Sequence, residues 1–324
     1  MRKFLCKIFW FIILLLLLLV IGVFLPATPR ASKSLIFSNL LKDSLMKNVA
    51  SPRIIFIGGS TLSFGLNCQM IKDQLNINPI NTGIHASIGL IYMMSNSLEF
   101  IKEGDIVILV PEYQQFYGDY AYGNNGEELT RTIFDVNISK IHLLNIKQIL
   151  NVIKVLPKYS FSKFKASEYF GFTESDIYGV NSFNKYGDVY KHWELKKEVF
   201  KPFGNIGDNL NQEIFNAIKE YQIEIEKKNA VLLISYPGYQ DLSYLSSSVN
   251  IKEIENQFKR KGFKTIGTPE EYMIPDSLMF NTPYHLSKKG VDYRTNLLIS
   301  GIKKILRKHM VVTKAICNKG FCSI

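Results

Sequence analysis

A three-layer α/β/α fold built on a mostly parallel sheet, behind one N-terminal membrane-spanning helix, is the architecture this sequence predicts. Three observations carry it. Short, near-continuous apolar runs recur at residues 53–57, 105–110 and 230–235, the pattern of strands buried on both faces. Segments with helical spacing separate them, as the crossovers of a parallel sheet require. Ahead of all of these, Ile8 to Leu25 form an uninterrupted apolar run of 18 residues. With Phe4 to Cys6 added, that run is long enough to cross a hydrocarbon core.

The 324 residues are 47% hydrophobic and 21% charged, which excludes a largely disordered chain and fits one globular domain with some decoration. Arg2, Lys3 and Lys7 precede the apolar run, so the expected orientation leaves the N-terminus in the cytoplasm. The run exceeds the apolar core of a cleaved signal peptide, and Pro29 and Arg30 spoil the site where cleavage would fall. An uncleaved signal anchor with its linker is therefore expected over residues 1–33, and one domain outside the cytoplasmic membrane over 34–324. The 39 Lys and Arg against 28 Asp and Glu give a net charge of +11. In that compartment the surplus points to an acidic cell envelope, or to a solvated surface, and not to nucleic acid. Four cysteines are too few for a disulfide scaffold. Cys68 reads as a buried thiol, Cys6 lies in or beside the membrane, and Cys317 and Cys322 have a spacing that permits a disulfide. No His/Cys cluster has the spacing of metal ligands, and no organic cofactor is implied.

Along the chain, the strand at 53–57 stops at Gly58-Gly59, and Asn67 is placed to cap a helix at 68–75. A second short strand at 79–82 ends at Gly83. Ser87 is expected to cap a long helix to about Ile101, which ends at Lys102-Glu103-Gly104. The strand at 105–110 closes at Pro111, and its twin at 230–235 is followed by Pro237. Helices are expected at 138–155, 211–228 and 251–261, a last strand at 263–266, and a final helix from Ser287 to about Leu306. Residues 116–202 break the alternation and read as an inserted helical cap or set of loops. Within them, residues 118–126 have the aromatic and amide content of a carbohydrate-facing loop.

Chemistry concentrates at the strand ends. Gly58-Gly59-Ser60 lies where a buried strand turns into a helix, at the carboxyl edge of the sheet where α/β folds bind ligands. Ser60 there is either a nucleophile or a serine that caps the backbone. Late in the chain, Asn281-Thr282-Pro283-Tyr284-His285-Leu286 precedes the last helix. A Ser–His pair needs the imidazole within reach of the hydroxyl and held by a third group, an arrangement available if both loops end on one sheet edge.

Together these segments resemble the SGNH (GDSL-like) hydrolase superfamily, across residues 53 to about 306. Ile55-Phe56-Ile57-Gly58-Gly59-Ser60 is similar to its nucleophile block, Asn81-Thr82-Gly83 to its second block, and Asn281 to Leu286 to its C-terminal block. The resemblance implies a flavodoxin-like sheet, Ser60 as nucleophile, His285 as base, and the N–H groups of Ser60 and Gly83 in an oxyanion hole. The N-terminal anchor with Tyr284-His285-Leu286 resembles the envelope branch, which includes the D-alanyl transfer protein of teichoic acid operons and the alginate-acetylation proteins. The chain departs from the family pattern twice. Asn281 stands where an aspartate is expected, leaving Asn281, Asp276 or a backbone carbonyl to orient His285. After the strand at 105–110, Glu112-Tyr113-Gln114 replaces the usual asparagine. Gln114 is then a candidate oxyanion donor, and Glu112 and Tyr113 are candidate substrate contacts. Glu112 can equally be read as a buried ion-pair partner. His85 could face the same pocket.

Two function classes follow. The first is a membrane-anchored esterase or O-acyltransferase acting on acyl esters of an envelope polysaccharide or related polymer, with a membrane protein as a possible acyl donor. The second is a non-catalytic glycan-binding or assembly protein that keeps the fold.

Overall fold

The computed structural model describes residues 1–123 and 125–317, with side chains to residue 307. Five parallel strands form the central sheet: β1 (Arg53–Gly58), β2 (Asn78–Asn81), β3 (Ile106–Val110), β4 (Val231–Ser235) and β5 (Thr265–Ile266). Their order is β2-β1-β3-β4-β5, the flavodoxin-like arrangement. Alternate residues of each strand feed two cores. Ile55, Ile57, Val107, Leu109, Leu232 and Ile234 pack under α5 (Leu90–Leu98), α7 (Gln212–Lys227) and α8 (Ser248–Arg260). Ile54, Phe56, Ile108, Val110 and Leu233 pack under α4 (Cys68–Leu75) and α9 (Lys288–Cys317). Burial on both faces is why these strands read as unbroken apolar runs.

The N-terminal helix α1 (Arg2–Phe24) is long and apolar enough to cross a membrane. The short α2 (Asn39–Asn48) follows it, and a four-residue α3 (Ser60–Ser63) follows β1. Asn67 caps α4 through its side chain, which accepts from Met70 N at 3.3 Å.

Several elements differ from the sequence expectation. Ser87 caps no long helix. Gly89, at φ +98°, breaks the chain between a short turn at Ala86–Ile88 and α5, and the His85 imidazole caps that turn by accepting from Ser87 N at 3.2 Å. A side chain at Gly89 would meet Gly123 N at 2.6 Å, so the following loop comes too close for any other residue. The helix expected at 138–155 is two elements. After a turn at Ile138–Leu143, Asn145 and Gln148 cap each other's backbone N–H groups at 3.0 and 3.1 Å and restart the chain as α6 (Ile146–Ser162). The final helix runs well past Leu306. In the loop at 118–126, Ala121 and Tyr122 are buried in the sheet core, while Gly118, Asp119 and Asn125 are exposed. Cys68 is buried and free, its backbone N–H donating to Asp188. The Cys317–Cys322 pairing lies outside the described residues.

Candidate active site

The sheet order reverses between β1 and β3, and Gly58 is paired in register with Val110. Two residues beyond that pair lie Ser60 and Glu112, which therefore meet at the crevice where this architecture binds ligands. Ser60 Oγ donates to Glu112 Oε1 at 3.2 Å, and Thr61 N donates to the same oxygen at 3.1 Å. Close packing demands both glycines ahead of Ser60. A side chain on Gly58 would strike Val110 O, and one on Gly59 would meet Glu112 Oε1 and Ala86 Cα at 2.8 Å. Arg294 braces the turn from below, donating to Thr61 O at 2.6 Å and to Gly65 O at 3.3 Å.

Glu112 is 3% exposed. Burial pushes its carboxyl up to about 7, against the hydrogen bonds from Thr61 and Ser60 and the nearby Arg294 guanidinium, which favour the charged form. Its own N–H is taken by Gln115 Oε1 at 3.0 Å, and Gln115 in turn donates to Ala86 O at 3.2 Å. The carboxyl is thus held in one place.

His285 reaches the same edge by a different route. Leu286 N donates to Phe64 O at 3.2 Å, and Tyr113 N donates to the Tyr284 hydroxyl at 3.1 Å, which stitches the late loop to the ends of β1 and β3. The imidazole stacks on Phe64 with ring centroids 4.0 Å apart and planes 12° from parallel. Phe64 N in turn bonds Ser60 O at 2.9 Å, so the imidazole lies over the turn that carries the serine. Asn281 Oδ1 lies 3.0 Å from His285 Nδ1. An amide oxygen only accepts, so Nδ1 carries the proton and Nε2 is left unprotonated. Asn281 Nδ2 donates to the Tyr178 hydroxyl at 2.8 Å, and that hydroxyl stands 3.5 Å from His285 Nδ1. Burial lowers His285 to about 3, with further lowering from His192 and His85 nearby. No hydrogen bond joins Ser60 to His285 among the described residues; the serine proton points to Glu112.

The remaining sequence candidates divide. Of the residues considered as orienters of His285, Asn281 makes the contact. Asp276 does not, because it faces solvent, paired with Lys197 and accepting from Gln240 Nε2 at 2.6 Å. Gly83 packs against Gly59 O and Leu62 at the serine turn, but its N–H donates to Asn81 Oδ1 at 2.9 Å and is not free for a ligand. Tyr113 is buried against Tyr239 and belongs to the core, not to a substrate face. Gln114 is half-buried at the end of β3, its side chain making no hydrogen bond to the described residues. His85 is half-buried, and desolvation lowers its pKa.

Tyr178, Phe64 and His192 were not legible as site residues. His192 packs on Phe64 with centroids 5.0 Å apart, and its Nε2 donates to Leu286 O at 3.0 Å. Burial lowers it to about 4. Among the described residues no group of His, Cys, Asp and Glu could hold a metal ion.

No protein-family model matches the chain, and no curated protein matches it in sequence. Among solved structures it is similar to an acetyl xylan esterase, Est2A, from the rumen bacterium Butyrivibrio proteoclasticus, at 15% identity and a TM-score of 0.28. That alignment covers 80% of this chain and 65% of the esterase, so the chain spans about two thirds of that protein's length. Likeness at this level carries no argument about activity, which rests on the site.

Proposed function

We propose that the chain is an SGNH-type serine esterase or O-acyltransferase, held by α1 on the outer side of the cytoplasmic membrane and acting on acyl esters of an envelope polysaccharide. The observation that supports it most is the neutral His285, its tautomer set by Asn281, stacked over the turn that presents Ser60 at the switch point. In this reading Ser60 Oγ attacks the acyl carbonyl carbon and its proton passes to His285 Nε2. The tetrahedral intermediate then collapses, and the departing alcohol takes that proton. Water or a sugar hydroxyl attacks the acyl-Ser60 ester in the second half, again losing its proton to Nε2, and the second tetrahedral intermediate expels Ser60 Oγ, which takes that proton back. The Ser60 N–H and the acid form of Glu112 serve the oxyanion, with Glu112 standing where the family pattern has an asparagine amide. Rotation of the Ser60 hydroxyl from Glu112 to His285 precedes attack.

A second reading, a glycan-binding or assembly protein on the same fold, is favoured by the serine proton pointing to Glu112 and by the occupied N–H of Gly83. Fluorophosphonate labelling separates the two. The full-length chain in detergent is labelled at Ser60, and labelling is lost in Ser60→Ala and falls about 100-fold or more in His285→Ala. A folded wild type that takes no label rules out a constitutively active Ser–His pair and leaves the binding reading.

A further inference from the structure

Helix α6 carries an apolar face that the fold does not cover. Ile146 is 77% exposed, Leu150 52% and Ile153 53%, and Ile149, Phe161 and Phe164 are exposed with them. At 100° per residue these positions, together with the exposed Pro157, fall within about 120° of arc over the helix and its first following turn. The opposite side carries Gln148, Val152 and Tyr159, which are buried, whereas Ser160 falls inside the arc and is buried because α1 covers that end of the stripe. Lys147, Lys154 and Lys158 line one margin of the stripe.

Where this face lies is set by its contact with α1. Ser160 Oγ donates to Leu19 O at 2.8 Å, and a side chain on Gly22 would strike Ser160 Oγ and come within 2.9 Å of Phe164. Lys163 is buried, donates to Leu25 O at 2.6 Å and pairs with Asp135 at 2.9 Å. Thr28 Oγ1 donates to Glu168 at 2.8 Å just beyond. Leu19 lies six residues inside the end of the apolar run, which is about 9 Å along a helix axis. A helix that touches the span at that depth places its neighbouring side chains at the level of the acyl chains.

We propose that α6 is a second membrane contact, an amphipathic helix lying in the outer interface of the bilayer with the 146–164 stripe facing lipid. The occupant is the lipid surface because the stripe is continuous with the exposed apolar surface of α1 and because lysines border it, as on interfacial helices. The consequence is a fixed posture. The catalytic domain does not swing on a tether, and Tyr178, which touches the His285 pair, follows α6 in the same inserted segment. That posture suits a substrate attached to, or growing from, the membrane.

The inference rests on α1 spanning the bilayer, and the test keeps the two apart. The full-length chain is reconstituted in phosphatidylcholine vesicles containing some phosphatidylglycerol and a lipid with a photoreactive diazirine in its acyl chain, and the labelled residues are mapped by mass spectrometry. Ile223 and Val249 are exposed apolar residues elsewhere on the domain and serve as controls. Label is expected on α1 and on the 146–164 stripe, the latter about ten-fold or more above the controls. Label on α1 with the stripe at control level overturns the inference and leaves the span intact. A chain with no label on α1 overturns the span reading and the inference with it.

Discussion

Glu112→Gln isolates the buried carboxyl beside Ser60. Glutamine keeps the shape and an acceptor oxygen for Thr61 N and Ser60 Oγ, and it removes the ionisation. Burial raises Glu112 from an ordinary 4.5 to about 7, so the folded state holds a proton that the unfolded chain has lost between those pH values. With the folded pKa above the unfolded one, the stabilisation is complete below pH 4.5 and is lost as pH rises to 7. The total loss is on the order of 3 kcal/mol, 1.36 kcal/mol for each unit. His285 has the opposite sign. Its folded pKa of about 3 makes stability fall as pH drops below the ordinary histidine range, and the two trends overlap in wild type. The informative quantity is therefore the difference between variant and wild type, which cancels His285. Measured by thermal unfolding from pH 4.5 to 8, the variant gains on wild type as pH rises, by roughly 5–10 °C in all. Labelling of Ser60 follows the same group. Wild type slows above about pH 7 as a carboxylate forms beside the developing oxyanion, and the variant keeps its rate there. A constant difference in melting temperature across this range, or an alkaline decline of labelling unchanged in the variant, would refute the assignment.

Two further outcomes test the geometry around that carboxyl. Asn281→Asp places a negative charge at the position 3.0 Å from His285 Nδ1, which raises the histidine pKa by about 1–3 units and speeds Ser60 labelling. An NMR titration of the imidazole that does not move would show that Asn281 is not its electrostatic partner. Gly83→Ala puts a methyl group 2.7 Å from both Gly59 O and Leu62 Cβ and 2.8 Å from Ser63 N. The neighbours are largely backbone, so the variant loses about 1–3 kcal/mol in urea unfolding and labels more slowly as the serine turn shifts. Wild-type stability with wild-type labelling would mean that the close approach does not hold the turn.

The strands were legible because a strand buried on both faces leaves no polar alternation, and β1, β3 and β4 show that pattern plainly; the flavodoxin-like order came only from the family resemblance. The breaks inside helical stretches were harder to read. Gly89 ends one turn and begins α5 because Gly123, more than thirty residues on, presses against it. Nothing local to residues 87–101 carries that information. Asn145 restarts α6 through a reciprocal cap with Gln148, a signal that was present in the sequence but hidden inside a continuous apolar spacing.

The site divides along the same line. Ser60 and Glu112 stand two residues past paired strand ends, so a reading of strand order alone brings them together. Tyr178 and His192 come from the inserted segment, where no period announces them, and their place beside His285 depends on how that segment folds back over the sheet edge. The insertion also carries α6, which the packing of Ser160 against Gly22 ties to α1. One segment thus lends residues to the imidazole at one end and meets the apolar helix at the other. If α1 spans a bilayer as proposed, the lengths of chain between those ends set how far the serine stands from it, and changing them would move the serine without altering any residue that touches it.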